Sequence, residues 1–193
     1  MEKMNKVTSK KTTYIVTSAL FASIICLTIA YILHIPVGGN NGYVHIGDAF
    51  IYLAATILPT NYAIAASAIG AGLADLSTGA AIWVIPTIII KPILVLFFTS
   101  KSDKIINKRN IVASVVAGIV GLVLYMFAEG IIIGSFTSAF VMSLLGLLQP
   151  IGSFTSAFVM SLLGLLQPIG SFIVFIILGM ALDKLDFKKR YFN

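Results

Sequence analysis

Long uncharged runs, broken by short polar or basic stretches, set the pattern of this chain. Residues 14–33 carry no charge and are long enough to cross a bilayer as a helix. A shorter run, 46–58, stops at Pro59, and an Ala- and Gly-rich run, 62–76, follows after Thr60 and Asn61. The next runs cover 84–100 and 111–133, and a last one, 168–183, precedes the C-terminal tail. Pro36, Gly38, Gly39, Asn40, Asn41 and Gly42 make a loop by turn chemistry, and 77–81 turns the chain again. The pattern predicts an all-α integral membrane protein: a compact bundle of six transmembrane helices forming one domain over 1–193.

The region between the fifth and sixth runs contains an exact tandem duplication. The 18 residues 134–151 recur identically as 152–169. Two copies do not make a solenoid. The uncharged region 130–182 must make one net crossing, which leaves one copy over. We expect it to form an extra outward-side helical or re-entrant piece. A continuous helix would keep the same face, since 18 residues are about five turns, but would overshoot the bilayer. Pro150 and Pro168 favour breaks.

Composition sharpens the membrane assignment. The chain is 59% hydrophobic and 10% charged, against about 25% charged in soluble domains. The single Cys26 excludes a disulfide framework. The net charge of +6 comes from three clusters: Lys3, Lys6, Lys10 and Lys11; Lys101, Lys104, Lys108 and Arg109; Lys184, Lys188, Lys189 and Arg190. Clusters flanking apolar runs set topology, so they do not imply a nucleic-acid partner. They place both termini in the cytoplasm of a multi-pass plasma-membrane protein and turn the loops 34–45 and 77–84 outward.

Against this background a few polar groups stand out. Residues 42–49 read Gly-Tyr-Val-His-Ile-Gly-Asp-Ala. Asp48 begins the second run, Asp75 ends the third, and Glu129 lies near the end of the fifth. Lys91 lies five residues past Pro86, roughly 8 Å into the fourth run at 1.5 Å per residue. All four fall in the outer half. Ionisable groups inside spans are costly and commonly functional. With Asn41, Tyr43, His45 and Trp83 they form a candidate small-molecule pocket near one membrane face. The plainer alternative is a structural lock in which Lys91 pairs with Glu129 or Asp75. Small residues on the first run, Ser18, Ala19, Ala22 and Ser23, allow another helix to approach closely, within the bundle or from a partner.

No HExxH, GxSxG, Walker or CxxC motif occurs, which argues against an enzyme, a metal site or a bound cofactor. The eight residues from Gly42, the segment Ala-Asp-Leu-Ser-Thr-Gly at 74–79, Trp83 and Pro-Thr-Ile-Ile-Ile-Lys at 86–91 resemble the S components of energy-coupling factor transporters, riboflavin-type branch. The resemblance implies a vitamin-like ligand captured at the outer face. It also implies a transmembrane T component and two ATP-binding subunits that drive uptake. Ala19 and Ser23, with Ala22, correspond to the small-residue pattern through which such a first helix meets its partner. Two other readings stand beside it: a self-sufficient proton-coupled permease using Asp75, Lys91 and Glu129 as a relay, and a structural scaffold. A one-sided pocket favours capture over a lone carrier, whose site lies near the midplane.

Overall fold

The computed structural model describes residues 2–32, 35–37, 42–133 and 154–192. Its elements, in order, are α1 (Glu2–Ala30), β1 (Ile35–Val37), β2 (Gly42–Val44), α2 (Asp48–Ile57), α3 (Thr60–Ser77), a 3-10 turn (Ala81–Trp83), α4 (Val84–Val95), α5 (Lys108–Ile133), α6 (Phe154–Lys184) and α7 (Phe187–Phe192). Among the described residues, three helical stretches are long and apolar enough to cross a membrane: Lys10–Ala30, Lys108–Ile132 and Gln167–Lys184. Their outward faces carry Ile15, Leu20, Leu27, Ile119, Leu122, Ile173 and Ile177, all exposed, as a surface solvated by lipid requires.

The bundle is organised around its shortest apolar helix. α2 has ten residues, and every one except Phe50 is buried. At 1.5 Å per residue it is about 15 Å long, half a hydrocarbon core, so its neighbours must enclose it. α1, α3, α4 and α6 do so. The core at its level comprises Ile25, Ile29, Ile51, Tyr52, Leu94, Phe98 and Phe175. The Tyr52 ring stacks on Phe98 at 4.9 Å and meets the edge of Phe175 at 5.9 Å.

Small residues bring α1 and α3 together. A Cβ at Gly70 would lie 2.5 Å from the Ala22 carbonyl oxygen, so only glycine permits this approach. Ser18 Oγ adds a 2.8 Å hydrogen bond to the Tyr62 carbonyl. α3 ends where Gly79 takes φ +78°, which lets the Ala80 amide reach the Asp75 carbonyl at 2.8 Å and turns the chain into Ala81–Trp83.

The all-helical class holds, with one short addition. The loop before α2 holds an antiparallel hairpin, with Ile35 opposite Val44 and Val37 opposite Gly42, lying against α6. One expectation needs correction: Pro168 does not break the last helix. α6 runs unbroken through it for 31 residues, and the second copy of the duplication, from Phe154, forms its N-terminal half. The physical reason lies on α5. A Cβ at Gly118 would sit 2.9 Å from Pro168 Cβ, so glycine makes room for the ring and its packing offsets the lost backbone bond. The first copy, 134–151, lies outside the described residues.

The second and third basic clusters meet at one end, beside α1. Lys188 Nζ donates to the carbonyls of Thr56 (2.8 Å), Ser100 (2.5 Å) and Ser102 (2.5 Å). The Asp183 carboxylate accepts the amides of Ile105 and Ile106 at 2.8 and 2.9 Å. Asn110 fastens the same loop through Thr99 and the Ile105 carbonyl. Tyr14 of α1 stacks on Phe192, centroids 6.0 Å apart. Burial pushes the Lys188 ammonium below the ordinary lysine pKa, and Asp103 and Asp183 offset this in part.

Candidate functional site

The opposite end of α2 carries the charge. Asp48 opens the helix, where a carboxylate is favoured by the N-terminal dipole. Gly47 precedes it because α1 is close: a Cβ there would come 2.3 Å from Ile29 Cγ1. His45 Nδ1 accepts the Gly47 amide at 3.0 Å and fixes the entry to the helix.

Lys91 Nζ donates to Asp48 Oδ1 at 2.6 Å, with the lysine side chain 2% and the aspartate side chain 8% exposed. Gln167 Nε2 donates to the other oxygen, Oδ2, at 3.1 Å. The ammonium also lies 5.0 Å from the centroid of the Tyr125 ring, a cation–π distance. The Tyr125 hydroxyl shares a 3.0 Å hydrogen bond with Thr87 Oγ1, and Trp83 leans on the same ring at 6.1 Å. Lys91 is thus held by α2, α5 and, through Asp48, α6. Asp75, buried near the end of α3, acts on both Lys91 and Tyr125 through its charge.

One turn further along α2 and α6 are two more polar groups. The hydroxyls of Tyr52, four residues after Asp48, and Ser171, four after Gln167, are buried with no hydrogen-bond partner among the described residues. Each such group costs about 1–3 kcal/mol.

The predicted site residues divide accordingly. Asp48, Lys91, Trp83, His45 and Asp75 gather at this end. The expected partner of Lys91 was Glu129 or Asp75, and the structure gives Asp48 instead. The reason is register: Asp48 starts a helix sunk inside the bundle, so it is deeper than its position in sequence suggests. Glu129 is half-buried one turn beyond Tyr125 on α5. Tyr43 lies in β2 opposite Pro36, and Asn41 lies outside the described residues. On α1, Ala19 and Ser23 are exposed, whereas Ala22 packs against Gly70 within the bundle.

Tyr125, Thr87, Gln167, Tyr52 and Ser171 escaped the sequence reading. A spacing signal exists for Tyr52 alone, four residues after Asp48 and so on the same helix face. Gln167 sits inside the duplication as an uncharged amide in an apolar run, with no charge to mark it.

A helical bundle with apolar outer faces is that of a membrane protein. The family model for the ECF-type riboflavin transporter, S component, matches residues 9–185, and the chain belongs to that family. No curated protein and no solved structure matches it.

Proposed function

We propose that the chain is the substrate-capture subunit of an energy-coupling factor importer and not an enzyme. It would bind a water-soluble, vitamin-like molecule at the Asp48–Lys91 end and pass it inward with a T component and two ATP-binding subunits. The observation that carries this reading is the buried Lys91–Asp48 pair, tied to Gln167 and Tyr125, at the end of α2 opposite the basic clusters. Under the positive-inside rule that end faces outward. The six-span count, with both termini cytoplasmic, belongs to the same proposal, and labelling of position 104 from outside intact cells would contradict it. The exposed Ala19 and Ser23 remain available to a partner helix.

The deciding experiment is uptake in liposomes. The protein alone should bind its ligand without accumulating it, and accumulation should require partner subunits and ATP. Uphill uptake by the lone protein under a proton gradient would support the self-sufficient permease instead.

A further inference from the structure

At the basic end, two spans finish on a cation that lies in register with their lipid-facing side. Along α5 the exposed Val112, Val115, Ile119 and Leu122 repeat at helical spacing, and exposed Lys108 is the next position down the same stripe. Along α6 the exposed Ile173, Ile177 and Met180 lead in the same way to exposed Lys184. Topology alone requires cations in a cytoplasmic loop and does not fix which way they face. Here they stand at the foot of faces that touch lipid. The far ends of both helices are exposed at Ile131 and Ile169, and no lysine or arginine occurs between Arg109 and Lys184.

The two feet are held together. The Asp183 carboxylate accepts the amides of Ile105 and Ile106, just before α5 begins. A Cβ at Gly179 would lie 2.5 Å from Ile106 Cδ1, so glycine lets α6 take the start of α5 against its own backbone. Lys108 and Arg109 on one helix and Lys184 on the other therefore flank the mouth of the α5–α6 seam. All three are exposed, and none has a carboxylate partner among the described residues. Asp183, beside Lys184 in sequence, is already engaged by the two amides. Asp103 and Asp186 are exposed at the same end, fewer than the cations around them.

Cations at the end of an apolar face, with long stems that lie along it, fit an anion presented by the membrane itself. The rings nearby mark the same depth. Tyr14, Tyr62, Phe187 and Tyr191 gather about Phe192, as aromatic side chains do at a membrane–water interface. A water-soluble acidic partner would call for cations turned away from the lipid-facing stripes. We infer that the mouth of the α5–α6 seam binds the headgroup of an anionic phospholipid in the leaflet at this end, its phosphate held by Lys108, Arg109 and Lys184 and its acyl chains lying on the exposed apolar faces above them.

The inference does not depend on the capture reading, and lipid association measured on the full chain tests it. Spin-labelled phosphatidylglycerol or phosphatidylcholine, a trace in phosphatidylcholine bilayers holding the protein, reports by electron spin resonance the fraction immobilised at the protein surface. The anionic label should be preferred by at least about threefold, since one cation near a charged headgroup is worth up to about fivefold. The preference should shrink at about 1 M salt, where screening is complete within a few ångströms. Lys108→Gln with Arg109→Gln and Lys184→Gln should remove most of it, and Lys108→Arg with Lys184→Arg should keep it. A control variant removes three other exposed cations of the same end, Lys101→Gln, Lys189→Gln and Arg190→Gln, and should also keep it. No preference in the wild type, or equal losses in the two glutamine variants, would overturn the inference, the charges then acting as a diffuse ring. A seam variant that keeps the lipid preference but no longer assembles with partner subunits would overturn it as well, and would assign the three cations to an acidic protein surface.

Discussion

Two buried lysines grip the two ends of the same ten-residue helix, and they are held in opposite ways. Lys188 reaches the C-terminal end of α2 and donates to three backbone carbonyls. A cation there complements the helix dipole, and its partners belong to the scaffold. Lys91 reaches the N-terminal end and meets a carboxylate, an aromatic face and, through Asp48, an amide, all of them side chains. Backbone carbonyls cannot leave without unfolding the loop that carries them. Side chains can exchange partners. The first arrangement is a clamp, and the second can open to admit a ligand.

The sharpest way to break the comparison is to remove each ammonium in turn. Lys91→Met leaves Asp48 buried and unpaired, and should cost about 3–5 kcal/mol of stability. Thermal unfolding in nanodiscs should show this as the largest loss of any single variant at the site. Lys91→Met with Asp48→Asn should recover most of that stability, because a buried pair can be replaced by neutral groups at little cost. If the pair serves the ligand, the recovered protein should still bind about 10- to 150-fold more weakly, the equivalent of about 1.5–3 kcal/mol for one charged hydrogen bond. Unchanged affinity in the double variant would make Lys91–Asp48 a second clamp.

Lys188→Met should cost less, about 1.5–3 kcal/mol, since the freed carbonyls of Ser100 and Ser102 lie near the basic end, where water can reach them. Its affinity for ligand, measured on folded protein, should match the wild type. A parallel loss of affinity would show that the two ends of α2 are coupled.

Much of this contrast was legible in the sequence, and the illegible part has a physical cause. The basic clusters, the outer polar groups and Lys91 inside a span were all visible, because charges in apolar runs are rare. The pairing of Lys91 with Asp48 was not. It depends on how far α2 sinks into the bundle, which is set by the close approach of Ile29 to Gly47 and of Ala22 to Gly70. Lys188 read as one of four basic tail residues, and only its contact with Thr56 marks it as different from Lys189 beside it. Pro168 was read by its local rule as a break, and the missing side chain of Gly118 on another helix reversed that outcome.

The smallest effect concerns Gln167, the link between α6 and the ion pair. Its amide donates to the Asp48 oxygen that Lys91 does not use, at 3.1 Å. Asp48 keeps its stronger partner in Gln167→Leu, so the stability loss should be about 0.5–1.5 kcal/mol, the range for one neutral donor. The effect on binding distinguishes the two roles of α6. If Gln167 only steadies Asp48, affinity should fall by no more than about threefold, and Gln167→Glu should be worse than leucine because it sets a second carboxylate against Asp48. If Gln167 itself contacts the ligand, both variants should lose more than about threefold. Calorimetry of the two variants side by side reads the difference. Losses within about threefold, with glutamate the weaker binder, would confine Gln167 to holding the helix in place.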